Sequence, residues 1–168
     1  MVITPNRRLG RALAVAALVF ALDRISKIWV VEHLNLRGLR RIEVFDPWFN
    51  LTMAWNPGIN FGLFDMGYSG RWLLIGLALV IVAALLVWVR RGPGGWLRPI
   101  GAGAIIGGAI GNVWDRATYG AVADFLNFSC CGIRNPFAFN IADAAIFGGA
   151  ALLVFATREP APKPRNRT

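Results

Sequence analysis

Asp124 and Asp143 are the residues whose type and company best suit chemistry. Neither has a basic residue within four positions. Val122, Ala123 and Phe125 surround the first; Ile141, Ala142, Ala144 and Ala145 surround the second. Two carboxyl groups brought face to face cannot both ionise readily, so they tend to hold one proton between them. The ionised member can activate a water while the protonated member donates to a carbonyl oxygen. That is the pair an aspartic hydrolase needs.

Other hydrolytic schemes are poorly supplied. His33 is the only histidine, and neither Gly-x-Ser-x-Gly nor His-Glu-x-x-His occurs. Ser26 and Lys27 are adjacent, and neighbours on a helix diverge by about 100°. Cys130 and Cys131 are adjacent too, which is no zinc spacing. Asp23 and Lys27, four apart, can pair on one helix face. Asp115 beside Arg116, with Asn112 a turn earlier, suits bracing near a helix end. The expectation for Asp23, Lys27, Asp115 and Arg116 is therefore an ion-pair network that holds helices together.

The elements that must position these groups are membrane-like. The 168-residue chain is 56% hydrophobic and 16% charged, outside the usual soluble range. Four apolar stretches read as spanning helices, at about 12–31, 72–89, 99–114 and 137–156. The first follows Arg7, Arg8 and Arg11 but lacks a clear cleavage site before a polar region, so it reads as a retained anchor.

Basic residues gather in three stretches. Arg7, Arg8 and Arg11 precede the first span; Arg90, Arg91 and Arg98 link the second and third; Arg158, Lys163, Arg165 and Arg167 lie in a proline-rich tail, about 158–168, expected to be disordered. The positive-inside rule puts all three stretches, and both termini, on the cytoplasmic side. The net charge of +9 is then a topology signal, and nucleic acid need not be invoked. On the far side remain a β-element at about 41–64, with a strand returning over 60–64, and a loop carrying Asp124. Asp23, Asp115, Asp124 and Asp143 all fall at one depth near that outer face.

The ordered motifs resemble the bacterial lipoprotein signal peptidases (signal peptidase II). The resemblance is carried by DRISK from Asp23 to Lys27, NPGINFG from Asn56 to Gly62, and GGAIGNVWDR from Gly107 to Arg116. GAVADF from Gly120 to Phe125 and FNIAD from Phe139 to Asp143 complete it. It implies one membrane α-helical domain over 1–168, with four transmembrane helices and a small periplasmic β-cradle, in the bacterial inner membrane. It implies an aspartic endopeptidase, a monomer, that cleaves prolipoproteins before a diacylglyceryl-modified cysteine, with membrane lipid as its other partner. Asp124 and Asp143 would be the catalytic pair near the periplasmic face. Asn56, Gly58, Asn112, Arg116 and Asn140 would hold substrate or orient the pair. Asp23, Lys27, Asp115 and Ala142 would support the site, and no metal or organic cofactor is implied. Asn60 departs from the family's usual small residue. A proton-coupled transporter would also want buried acids but has no use for the outer β-element. The other intramembrane aspartic peptidases are marked by Gly-x-Gly-Asp, which is absent.

Overall fold

Thr4 opens the first helix: it precedes α1 (Pro5–Lys27), whose Pro5 sits where a missing N–H costs nothing. The computed structural model describes residues 4–58, 68–92 and 95–156. Beyond Lys27 the helix widens into a π-helical turn, Ile28–His33, and a short α2 (Leu36–Leu39) follows. Strands β1 (Arg41–Phe45) and β2 (Phe49–Asn56) come next, then α3 (Tyr68–Arg91) and α4 (Leu97–Tyr119). Strand β3 (Val122–Phe128) and α5 (Ile141–Ala156) complete the described fold. The protein is thus mostly helical with one three-stranded sheet. Gly70–Arg91 contains an 18-residue window of mean hydropathy 2.9 and is, among the described residues, the one helix both long and apolar enough to cross a bilayer on those grounds alone.

Helix α4 packs against α1, α3 and α5. Its glycines make this possible. A Cβ on Gly103 or Gly107 would lie 2.5 Å from the Ala12 or Ala16 carbonyl of α1. On the opposite face, Gly108 rests on the Ala142 carbonyl, and a Cβ on Gly101 would lie 2.8 Å from the Gly149 carbonyl of α5. Small residues on both faces let three backbones approach.

The sheet has the order β1-β2-β3, antiparallel throughout. Ala123 and Phe125 on one face of β3 join Leu51, Met53, Val30, Val31 and Leu36 in a buried apolar cluster. Strand alternation sends the Asp124 side chain to the opposite face.

Several boundaries differ from the sequence reading. The third span does not end at Trp114. It continues to Tyr119 and stops where Gly120 takes φ 82° and caps the Arg116 carbonyl. The fourth begins at Ile141, not 137, because Phe139 is tied to Leu126 of β3 by backbone bonds of 2.8 and 3.0 Å. Asp124 lies in a strand, not a loop: Val122–Phe128 pairs with β2 through nonlocal backbone bonds. The first helix starts at Pro5, well before residue 12. The returning strand expected over 60–64, Asn60 and the tail at 158–168 lie outside the described residues.

Candidate active site

Asn140 organises the site. It precedes α5, and its Oδ1 accepts the Asp143 backbone N–H at 2.9 Å, the capping bond that a helix start favours. Its Nδ2 donates to Asp124 Oδ1 at 2.6 Å. One carboxamide thus connects the two aspartates. Asn56, at the end of β2, donates to Asp124 Oδ2 at 3.2 Å. Asn112 of α4 donates to Asp143 Oδ1 at 2.8 Å. Asp143 lies in the first turn of α5, where the helix dipole favours a carboxylate.

The two acids differ in exposure. Asp124 is 2% exposed. Asp143 is half-buried and lines a cleft of about 160 Å³ with Asn56, Gly58, Asn112, Arg116, Val122, Ile146 and Phe147. Burial, and then the nearby Asp143 carboxylate, push Asp124 from its ordinary value near 3.8 up to about 7; the amides of Asn56 and Asn140 and the charge of Lys27 oppose this.

Behind this site lies a buried ion cluster. Asp23 and Asp115 are fully buried. Lys27 Nζ stands 2.9 Å from Asp23 and 2.6 Å from Asp115. Arg24 stands 3.1 Å from Asp23 and 2.5 Å from Asp115. Two acids and two bases balance. The remaining lone pairs reach the backbone beside each candidate acid. Asp115 Oδ2 accepts the Ala123 N–H at 3.2 Å, and Asp23 Oδ1 accepts the Ala142 N–H at 3.3 Å. Each brace therefore holds the residue just before Asp124 or Asp143.

This corrects the expected network in one member. Arg116 is not paired with Asp115, because adjacent helical side chains diverge. Its guanidinium donates instead to the Gly58 carbonyl at 2.7 Å, tying the end of the β2 segment to α4 over the cleft. The member that sequence reasoning missed is Arg24. Its spacing of three from Lys27 places both on one helix face and was the available signal. Cys130 and Cys131 are exposed and free, in a hairpin tip away from these groups.

The sequence model described as signal peptidase (SPase) II matches residues 15–158. Lipoprotein signal peptidases from Caulobacter vibrioides and Methylorubrum extorquens are 43% and 40% identical over 144 residues; each match covers 85% of this chain and 83% or 82% of the relative. The one from Vibrio cholerae is 40% identical over 158 residues, 90% of this chain and 91% of that protein. Two solved structures, each described as a bacterial membrane enzyme studied by the in meso method, share the fold at 22% identity. Their TM-scores are 0.77 and 0.75, and they cover 95% and 90% of this chain and 94% and 95% of their own. The chain belongs to the signal peptidase II family.

Proposed function

We propose that Asp124 and Asp143 are the catalytic pair of an aspartic endopeptidase that removes signal peptides from prolipoproteins, cutting before a diacylglyceryl-modified cysteine. Signal peptide removal in lipoprotein maturation follows from the family. The observation that carries the assignment of the pair is the single Asn140 side chain bonded to Asp124 and to the Asp143 backbone. Asp124, held protonated up to about pH 7, is the acid. Asp143, facing the cleft, is the base. Asp143 takes a proton from water as the oxygen attacks the scissile carbonyl carbon, and Asp124 gives its proton to the carbonyl oxygen. In the collapse of the tetrahedral intermediate, the proton on Asp143 passes to the departing amine and Asp124 recovers its own. Asn56, Gly58, Asn112, Arg116 and Asn140 hold the peptide and the pair. Asp23, Lys27, Asp115 and Ala142 support them.

In this reading one domain crosses the inner membrane four times, through α1 with its π-turn, α3, α4 and α5. Both termini are cytoplasmic, the sheet forms a periplasmic cradle, and the enzyme works as a monomer. The exposed Phe147 and half-buried Ile146 at the cleft edge favour acyl chains entering between helices. Lipid contacts would then position the peptide bond for attack.

The test is cleavage of a lipidated prolipoprotein by purified protein. Asp124→Asn and Asp143→Asn should each lower the rate at least about 10²–10⁴-fold. Equal cleavage by either variant would sink the pair; equal cleavage of the unlipidated precursor would sink the lipid requirement.

A further inference from the structure

At the opposite end of the bundle from the aspartates, a buried cation has no carboxylate partner among the described residues. Arg8, in the first turns of α1, is 8% exposed. It donates one bond, to the Gly92 carbonyl just past α3, and its Nε has no hydrogen-bond partner. No described ion pair involves Arg8, nor Arg7, Arg11, Arg90, Arg91 or Arg98. The described acids all lie toward the other end: at the end of α1, in or beside the sheet, at the end of α4 and at the start of α5. A buried guanidinium with no carboxylate is costly unless something else supplies the charge.

Arg8 lines a small cavity with Trp88, Val89, Gly92, Arg98 and Pro99. Arg98 sits over the Trp88 ring at 5.7 Å. Helix α4 begins here, and Trp96 at its capping position provides no side-chain bond. Pro99 has no N–H, so the first-turn N–H groups of Leu97 and Arg98 are the ones without a side-chain cap. The cavity encloses about 10 Å³, room for about one oxygen-sized group. A ligand thus inserts an edge and leaves its bulk at the rim. The surroundings are apolar: Trp88, Val89 and Pro99 line the cavity, and Trp96, at the start of α4, is 57% exposed. Acyl chains suit those surfaces, and free inorganic anion has no use for them.

We propose that this end holds the phosphodiester headgroup of an anionic phospholipid, with a phosphate oxygen between Arg8 and Arg98 at the start of α4. The site rests on the reading that these ends face the cytoplasmic leaflet, where anionic headgroups and basic pockets meet. It is separate from the peptidase chemistry, so it can be tested on the Asp124→Asn protein whatever the outcome of the cleavage assay.

Native mass spectrometry of that protein, released from nanodiscs of phosphatidylcholine with added phosphatidylglycerol, should show one retained phosphatidylglycerol. Arg8→Gln with Arg98→Gln should weaken retention on the order of tenfold or more. Arg90→Gln with Arg91→Gln removes the same charge from exposed positions at the same end and should retain the lipid. Arg98→Gln alone, at a half-buried residue, should still weaken retention if the Arg8 change prevents folding. Equal loss in the Arg90/Arg91 variant would overturn the site in favour of diffuse attraction. Displacement of the lipid by millimolar inorganic phosphate would overturn the lipid assignment in favour of a free-phosphate site.

Discussion

Replacing Lys27 by Met tests how the buried ion cluster supports the aspartates. Lys27 is 5% exposed and lies 2.9 and 2.6 Å from two fully buried carboxylates. The change keeps an unbranched side chain one atom shorter and removes its charge, leaving Arg24 alone against Asp23 and Asp115. Breaking a buried pair in this way costs about 3–5 kcal/mol of stability. Adding Asp115→Asn should recover much of that loss. Asp23 and Arg24, 3.1 Å apart, then balance, and the Asn oxygen can still accept the Ala123 N–H. The two changes should therefore be coupled by about 2 kcal/mol rather than additive.

The same pair of variants separates structure from chemistry. Lys27 is among the charges that pull Asp124 down. Without it Asp124 should keep its proton to higher pH, so the alkaline limb of kcat/KM moves above that of the wild type. Asp115→Asn does not restore the lysine, so in the double variant stability returns while the limb stays displaced. Chemical unfolding in detergent and pH–rate profiles on a lipidated substrate measure the two effects. Additive stability losses, or a limb that moves back with stability, would refute the reasoning.

Four further outcomes follow from the geometry. With Asp124 at about 7, wild-type kcat/KM should fall about tenfold per pH unit above that value; a flat profile to pH 9 would contradict the acid role. The same group makes the fold less stable as pH rises from about 3.8 to about 7, because the unfolded chain loses a proton there that the folded chain keeps. Gly108→Val should cost about 1–3 kcal/mol and lower activity, since the new side chain meets the Ala142 carbonyl and Ile146 and levers α5, with Asp143, away from Asn112; Gly148→Ala, with nothing within 4 Å of its Cβ, should leave thermal unfolding and activity nearly unchanged. Cys130 and Cys131 are exposed, so a membrane-impermeant maleimide should label intact spheroplasts; labelling only after permeabilisation would invert the proposed orientation.

What the sequence made legible was local. Apolar runs marked the interiors of α1, α3, α4 and α5, and the lack of nearby bases singled out Asp124 and Asp143. What it hid depends on distant partners. Charge at Asp115 and Arg116 looked like a helix end, yet α4 runs on because Arg24 and Lys27 from α1 neutralise Asp115 and the Gly58 carbonyl receives Arg116. The alternation in Val122–Phe128 was present, but its strand partner is β2, more than sixty residues away. Asn140 with an acid three positions later was a readable helix start; the apolar Phe137 and Phe139 obscured it, and only their place beside β3 separates them from the helix.

The placement of charge carries a functional logic. The side-chain hydrogen bonds described for Asp124 and Asp143 come from carboxamides: Asn56, Asn112 and Asn140. Amides do not titrate, so they fix position without locking either acid in one charge state. A direct lysine or arginine bond would hold its carboxylate ionised and remove the proton that general acid catalysis requires. The strong ion pairs lie instead behind the strand and the helix start, and act through the N–H groups of Ala123 and Ala142. Rigidity is thus delivered through the backbone, one residue before each acid, and burial with mutual repulsion is left to decide where the proton sits. An aspartic pair needs that separation, since its two members must exchange protonation roles within one turnover while staying in place.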